Sequence, residues 1–348
     1  MSDATLLTEV KLLQKKVNAV TLPPELKEKA LQMITRLQRI AKFGGYSTEY
    51  DRVAHYIEWI TALPWTQRTE DQLDLTRAKQ ILDQHHYGLA QIKDRLLEYL
   101  AVLKLLKAKK AVSSAPILCL VGLVGTGKTT LGPSLAEAMG RKFARIPFGG
   151  LGSALDLRGQ SRLHPDAEPG LIIKALRRVG VKNPVILLDE IDRVSQEARP
   201  DIMGVLVELL DPEQNSQFTD HFIDYPFDLS EVLFVATANN TTNISTAVLD
   251  RLEILQMPSY TDEEKIIIAK DYILPKTLKN SGLSPQNLII DESLWPQIVR
   301  PLGYDAGLRT LERTLQAICR KVARKIVEGE GKVFKITAQN LKDYLPSF

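Results

Sequence analysis

The sequence predicts an α/β core built on a parallel sheet, preceded by a helical region and followed by a small all-α lid. Three observations predict it. From Thr5 to about Ala111, apolar residues recur at three- and four-residue intervals, the period of one helix face. From Ser113 to Pro258 the texture changes to short Ile-, Val- and Leu-rich runs, each followed by a helical pattern. Strands that alternate with helices imply a parallel sheet covered on both faces. After Pro258 the strand signals largely stop, and helical segments run to the end. The expected units are a helical region over 1–110, a large α/β domain over 111–258 and a small helical lid over 259–348.

Taken in order, the helical region is broken at Pro23-Pro24, Gly44-Gly45 and Pro64. Its first segment places Leu6, Val10, Leu13 and Val17 on one stripe. The partner of that stripe is either the neighbouring helices or a surface in another chain or segment. Trp59 and Trp65 flank the Pro64 break and read as core anchors. The predicted strands are ILCLVG, FARIPF, VILLDE, VLFVATAN and ILQMP. The lid opens on Thr261-Asp262-Glu263-Glu264, a cap residue with acids in the first turn.

Composition narrows the partners. Net charge is +3, from 45 basic and 42 acidic residues, too even to make nucleic acid or an anionic membrane the main partner. Two basic clusters, Lys104-Lys107-Lys109-Lys110 and Arg320-Lys321-Arg324-Lys325, read as solvated helix faces, which leaves at most weak, salt-sensitive DNA attraction. Cys119 and Cys319 lie in apolar segments and are expected as reduced core thiols. The start has no signal-peptide layout, and no apolar run reaches the ~18 residues of a membrane helix. A soluble, cytoplasmic protein without a membrane partner is expected.

The chemistry is concentrated in two places. Gly122-Leu123-Val124-Gly125-Thr126-Gly127-Lys128-Thr129-Thr130 follows a strand and opens a helix, the context of a phosphate-binding loop. Its glycines let backbone N–H groups curl toward phosphates at the positive end of the helix. Lys128 is expected on the β/γ oxygens, and Thr129 on a magnesium ion shared with ATP. The strand Val185–Asp189 delivers Asp189 and Glu190 at its carboxyl end, where open α/β sheets hold ligands. Asp189 is the second expected metal ligand, and Glu190 is suited to polarise an attacking water. Asn239 ends a third strand within reach of the γ-phosphate or that water; the alternative is a strand-terminating turn residue. Arg251, in Leu249-Asp250-Arg251, and Arg309, in Gly307-Leu308-Arg309, offer the planar fork that spreads over phosphate oxygens. The fold is thus that of a P-loop nucleoside triphosphatase.

With these motifs in order, the chain resembles the AAA+ ATPase part of the Lon protease family over most of its length. The stretches that carry the likeness include LPWTQRTEDQLDL, ILDQHHYGL, LLEYLAVLKL, GRKFARIPFGG, NPVILLDEID, LLDPEQN, YPFDLSEVLFVATAN and LDRLEILQMPSYTDEEK. In the lid they are DYILPKTLKNSGL, GLRTLERTLQAICRK and ITAQNLKDYL. The resemblance implies that Asn239 is the sensor-1 amide, Arg251 an arginine finger offered to a neighbour's ATP, and Arg309 the sensor-2 arginine. Tyr87 and Gly88 would border the adenine. It also implies a homo-oligomeric hexameric ring that unfolds and translocates unfolded or misfolded proteins, feeding a peptidase not contained in these residues and held by a possible separate partner. The family's serine–lysine peptidase domain would begin where this sequence stops, and no spacing here recommends a nucleophile and base.

The segment 159–170 departs from the family. It aligns with the first pore loop, where an aromatic–aliphatic pair grips substrate; here the positions read His164-Pro165. Pro200 replaces a usual glycine in the second loop region. These changes keep an alternative open: a nucleotide-switched binding or scaffold protein whose degenerate pore loop does not translocate. His164 as a metal ligand lacks a second ligand spaced near it.

Overall fold

The computed structural model describes residues 3–42, 48–108, 117–300 and 307–346. Gly44-Gly45, Lys109, Lys110 and the boundary at 110/111 lie outside the described residues, as do the side chains of Leu6 and Lys107. Five parallel strands form the central sheet, in the spatial order Phe143–Pro147, Val185–Asp189, Leu233–Ala238, Ile117–Val121, Leu252–Gln256. The three inner strands are buried along their whole length, which is why they read as unbroken apolar runs rather than alternating ones. The edge strands Phe143–Pro147 and Leu252–Gln256 alternate between buried or half-buried and exposed residues. Because all five run the same way, their carboxyl ends share one edge of the sheet, the edge that gathers ligands in open α/β folds.

The two faces of the sheet are covered differently. On one face Cys119, Val121, Ile186 and Leu188 join a cluster with helices Leu171–Val179 and Arg199–Leu210 and with the first helices of the chain, Asp3–Ala19, Pro24–Lys42 and Thr48–Ala62. On the other, Leu118, Leu120 and Leu187 pack with helices Lys128–Met139, Leu75–His85 and Ala90–Ala108. Val10, Leu13 and Val17 are buried in the cluster that holds Leu26, Ala30, Ile34 and Leu37 of the next helix. The amphipathic stripe is therefore satisfied within the chain, each fully buried aliphatic side chain contributing about 1.5–3 kcal/mol.

Trp59 and Trp65 serve as anchors. Trp65 lies 4.9 Å from Phe227, centroid to centroid, and donates its indole N–H to the Ile60 carbonyl at 2.7 Å. Arg177 stacks on Trp59 at 4.0 Å and Arg162 on Tyr56 at 3.9 Å. Tyr56 also donates to the Ile223 carbonyl at 3.1 Å. These contacts tie the third helix to the α/β domain.

The lid is helical, with its own core around Trp295, Leu315, Ile318 and Cys319. Thr261 and Glu264 form a reciprocal cap at its first helix, Asp262–Ile268, as their spacing predicts. One short parallel pair, Leu288–Ile290 with Phe334–Ile336, adds to the predicted helices. Three-residue strands are too short to leave a period in the sequence. Cys119 and Cys319 are free and buried. The basic run in helix Arg309–Val327 is largely spent locally: Arg324 pairs with Glu328, Lys325 with Glu330, and Lys321 donates to the carbonyls of Asp343 and Leu345. Among the described residues, no helix is long and apolar enough to cross a membrane.

Candidate nucleotide site

The loop after strand Ile117–Val121 is shaped by backbone geometry and a few internal bonds. Gly125 and Gly127 hold φ of +84° and +92°, the left-handed region that side chains resist. Thr126 is fully buried and donates to the Leu123 carbonyl at 2.9 Å, while Thr130 donates to the Gly127 carbonyl at 2.7 Å. Leu123 and Val124 stand exposed, since the loop turns its backbone, not these side chains, toward the ligand position. Lys128 folds back over the loop, donating to the carbonyls of Gly122 at 2.6 Å and Leu123 at 2.8 Å and to Asn239 Oδ1 at 3.2 Å. Burial lowers the pKa of its ammonium against the pull of Asp192, Glu190 and Asp189, with Arg193 lowering it further. A phosphate anion at this position would relieve that desolvation.

Neighbouring strands supply the acids. Asp189 is 2% exposed, and both its oxygens are engaged. Oδ1 receives the hydroxyls of Thr237 at 2.5 Å and Thr129 at 3.2 Å. Oδ2 accepts the Nε–H of Arg145 at 2.7 Å and is in ion-pair contact with Nη2 at 2.6 Å. The Thr237 hydroxyl also accepts the Glu190 N–H at 2.8 Å. Glu190 itself sits at φ +58°, ψ +51°, a conformation that costs a side-chain-bearing residue about 1 kcal/mol or more. This turn carries Glu190 out of the strand direction and leaves its carboxylate half-exposed, 3.4 Å from Arg193. A Cβ on Gly149 would come within 3.1 Å of that carboxylate. Asn239 Nδ2 is buried without a hydrogen-bond partner, an orphaned donor next to Lys128 that a phosphate oxygen or a water would satisfy.

These residues fit a magnesium–triphosphate. Thr129 and Asp189 present oxygens 3.2 Å apart, the hard donors magnesium prefers. Among the described residues, no three His, Cys, Asp or Glu side chains form a metal cage. A magnesium ion here would therefore complete its ligands from phosphate and water.

A second cradle lies where the lid meets the loop. Tyr87 is half-buried in the cluster that contains Met257, Tyr260, Ile268, Tyr272 and Leu308. Gly88 turns the chain at φ +62°, with Glu264 alongside. Tyr260 donates its hydroxyl to the Thr126 carbonyl at 3.3 Å. The Tyr87–Gly88 turn is pinned to the phosphate-loop helix through Ser134, whose Oγ lies 3.0 Å from His85 Nδ1 and 2.8 Å from His86 Nε2. Burial, reinforced by the charges of His85 and Lys93, pushes His86 down to about 4 from 6.5. Leu308 donates its N–H to the Gly125 carbonyl at 2.9 Å, and a Cβ on Gly307 would stand 2.4 Å from the Val124 carbonyl oxygen. The next residue, Arg309, starts a helix against the loop with an exposed side chain.

Arg251 is not brought to this cluster. It precedes strand Leu252–Gln256, and its carbonyl accepts the Ile117 N–H at 3.3 Å at the amino end of the phosphate-loop strand. One strand of five residues separates that edge from the loop, about 16 Å at ~3.3 Å per residue. Its guanidinium donates to Asp211 Oδ2 and the Ala247 carbonyl, each at 2.9 Å.

Segment 159–170 is closed at its neck. Buried Asp220 accepts the Gly170 N–H at 2.7 Å, and Gln160 donates to the Glu168 carbonyl at 3.0 Å. Its tip carries His164 and Pro165 exposed, and Leu163 is 86% exposed. Pro200 lies in the first turn of helix Arg199–Leu210, where its missing N–H costs no bond.

Three functional neighbours escape the motif reading: Thr237, Arg145 and the His85–His86 pair. The first two are polar residues in buried or edge strands, a signal present in VATAN and FARIP that has no meaning until the strands are placed side by side.

Fold and site together define a P-loop ATPase domain, and the AAA family, ATPase family associated with various cellular activities, matches residues 118–260. The Lon protease AAA+ ATPase lid domain matches residues 279–334. Lon protease of Lawsonia intracellularis is 45% identical over 97% of this chain and 40% of its own length. Lon protease 1 of Bacillus subtilis is likewise 45% identical, over 97% of this chain and 43% of that protein. For Lon protease 2 of Thermus thermophilus the values are 44%, 97% and 42%. The chain is an AAA ATPase module of the Lon type, and it spans about two fifths of the length of these relatives.

Proposed function

We propose that the chain binds Mg-ATP, hydrolyses it between adjacent subunits of a hexameric ring, and uses the cycle to unfold and translocate unfolded or misfolded proteins. Lys128 and the backbone of Gly122–Thr130 would hold the triphosphate, and Tyr87 and Gly88 would border the base. Thr129 and Asp189 would hold the magnesium ion, which when bound neutralises charge on the transferred phosphoryl group. Glu190 orients the attacking water, and the free Asn239 Nδ2 donates to that water or to the γ-phosphate. Arg309 would reach the phosphates from the lid. In the same reading, residues 1–110, 111–258 and 259–348 act as a helical platform, motor domain and lid. The setting is cytoplasmic, a peptidase would be a partner outside these residues, and DNA attraction is weak at most.

The observation that carries the ring is the position of Arg251. A cation at the opposite edge of the sheet cannot serve its own loop; to serve a neighbour's, where an arginine finger is worth about 10³ or more in rate, it would exchange its Asp211 partner for phosphate. ATPase rate per subunit should rise with protein concentration, and Arg251→Ala should hold it at the dilute-limit value. A rate per subunit independent of concentration and indifferent to Arg251→Ala refutes the shared site.

A second reading, a nucleotide-switched scaffold, is favoured by the His164-Pro165 tip alone. A variant of the exposed Leu163 beside it tests between them. Stimulation of the ATPase by casein, lost in Leu163→Asp, supports gripping; no stimulation in either protein favours the switch.

A further inference from the structure

We propose that Arg145 is a positioning residue that competes with the divalent cation for Asp189 and thereby sets how much metal is needed to load the nucleotide site. The inference rests on the Mg-ATP reading above. Arg145 lies on the edge strand Phe143–Pro147, one strand away from Asp189 and in register with Leu187. It shares a strand face with Phe143, which packs beside Gly132 of the phosphate-loop helix. From there its guanidinium crosses to Asp189 and places both Nε and Nη2 on Oδ2, at 2.7 and 2.6 Å.

A carboxylate has about four lone-pair sites, and Asp189 has three hydrogen-bond donors on them, two hydroxyls on Oδ1 and the Arg145 Nε–H on Oδ2, with Arg145 Nη2 in ion-pair contact with the same oxygen. A cation approaching Asp189 from the Oδ2 side, directly or through its water, meets the Arg145 guanidinium, and on the Oδ1 side it meets the two hydroxyls. Thr237 is fully buried on a central strand and fixed by its bond to the Glu190 N–H. Thr129 is itself an expected ligand. Arg145 is the donor that can leave, because its side chain is 52% exposed while that of Asp189 is 2% exposed. Its departure leaves Oδ2 open, and its positive charge disfavours the metal for as long as it stays. The arrangement satisfies a buried carboxylate with protein donors, and makes metal entry on the Oδ2 side conditional on moving one arm.

The test follows binding of a fluorescent adenine nucleotide, mant-ADP, to the full chain as Mg²⁺ is titrated, in wild type, Arg145→Lys and Arg145→Gln. The half-saturating Mg²⁺ should fall by about fivefold or more in Arg145→Gln. Arg145→Lys should lie between, since one ammonium keeps the charge but not the planar two-point hold. Thermal melts in EDTA should show Arg145→Gln less stable than wild type, with the gap closing in Mg²⁺ and nucleotide. If Arg145→Gln does not fold, wild type against Arg145→Lys decides alone. A midpoint unchanged or raised in the variants overturns the proposal while leaving the nucleotide site standing. Failure of wild type to bind mant-ADP at any Mg²⁺ level sinks the nucleotide reading and this inference with it.

Discussion

Lowering the pH should loosen the chain through His86, and the size of the effect follows from its surroundings. The imidazole is 8% exposed, faces Ser134 Oγ at 2.8 Å, and shares its neighbourhood with His85 and the Lys93 ammonium, which donates to the His86 carbonyl at 2.6 Å. Burial first, and the electrostatic influence of His85 and Lys93 second, hold its pKa at about 4 instead of 6.5. Below pH 6.5 the unfolded chain takes up a proton that the folded one refuses. The stability associated with neutral His86 is therefore complete above about pH 6.5 and drains away as the pH falls through about 4. The full gap corresponds to roughly 3 kcal/mol, of which roughly 2 kcal/mol is gone by about pH 5.

In a chain of this size that loss lowers the melting temperature by about 3 °C. The assay is a series of thermal melts from neutral pH to about pH 5, for wild type and His86→Gln. Other groups titrate in both proteins, so the difference between the curves isolates His86. The wild-type curve should fall more steeply. Parallel curves would refute the assignment of a buried, neutral His86.

Two further outcomes follow. Glu190→Gln should keep nucleotide affinity near wild type but cut ATP turnover by about 10² or more, read by mant-nucleotide titration beside phosphate release; loss of binding instead would make Glu190 part of the nucleotide hold. Gly307→Ala should cost about 1–3 kcal/mol, because its new methyl would stand 2.4 Å from the Val124 carbonyl oxygen, a backbone atom. It should also weaken nucleotide binding by prying the lid from the loop. Unchanged stability and affinity would mean that the lid does not rest on the loop.

Much of this protein was legible in its linear order. The continuous apolar runs of the central strands are local signals, because a strand buried on both faces has no polar side to present. The glycines at 125 and 127 are equally local, since only the left-handed backbone needs them. Asp189 and Glu190 could be placed at the carboxyl edge of the sheet, because a parallel strand delivers the residues at its end there. The partner of the Val10–Val17 stripe could not be named, because an amphipathic face specifies that it is covered and not by what.

Tertiary structure alone decided the rest. Register between Phe143–Pro147 and Val185–Asp189 brings Arg145 within reach of Asp189, 44 residues later in the chain. Strand direction sends Arg251 to the edge opposite the loop, and packing of the Tyr87–Gly88 turn against Ser134 gives His86 its shifted titration. Each of these depends on distances between residues remote in sequence. Periodicity and propensity, being properties of neighbours along the chain, carry no information about them.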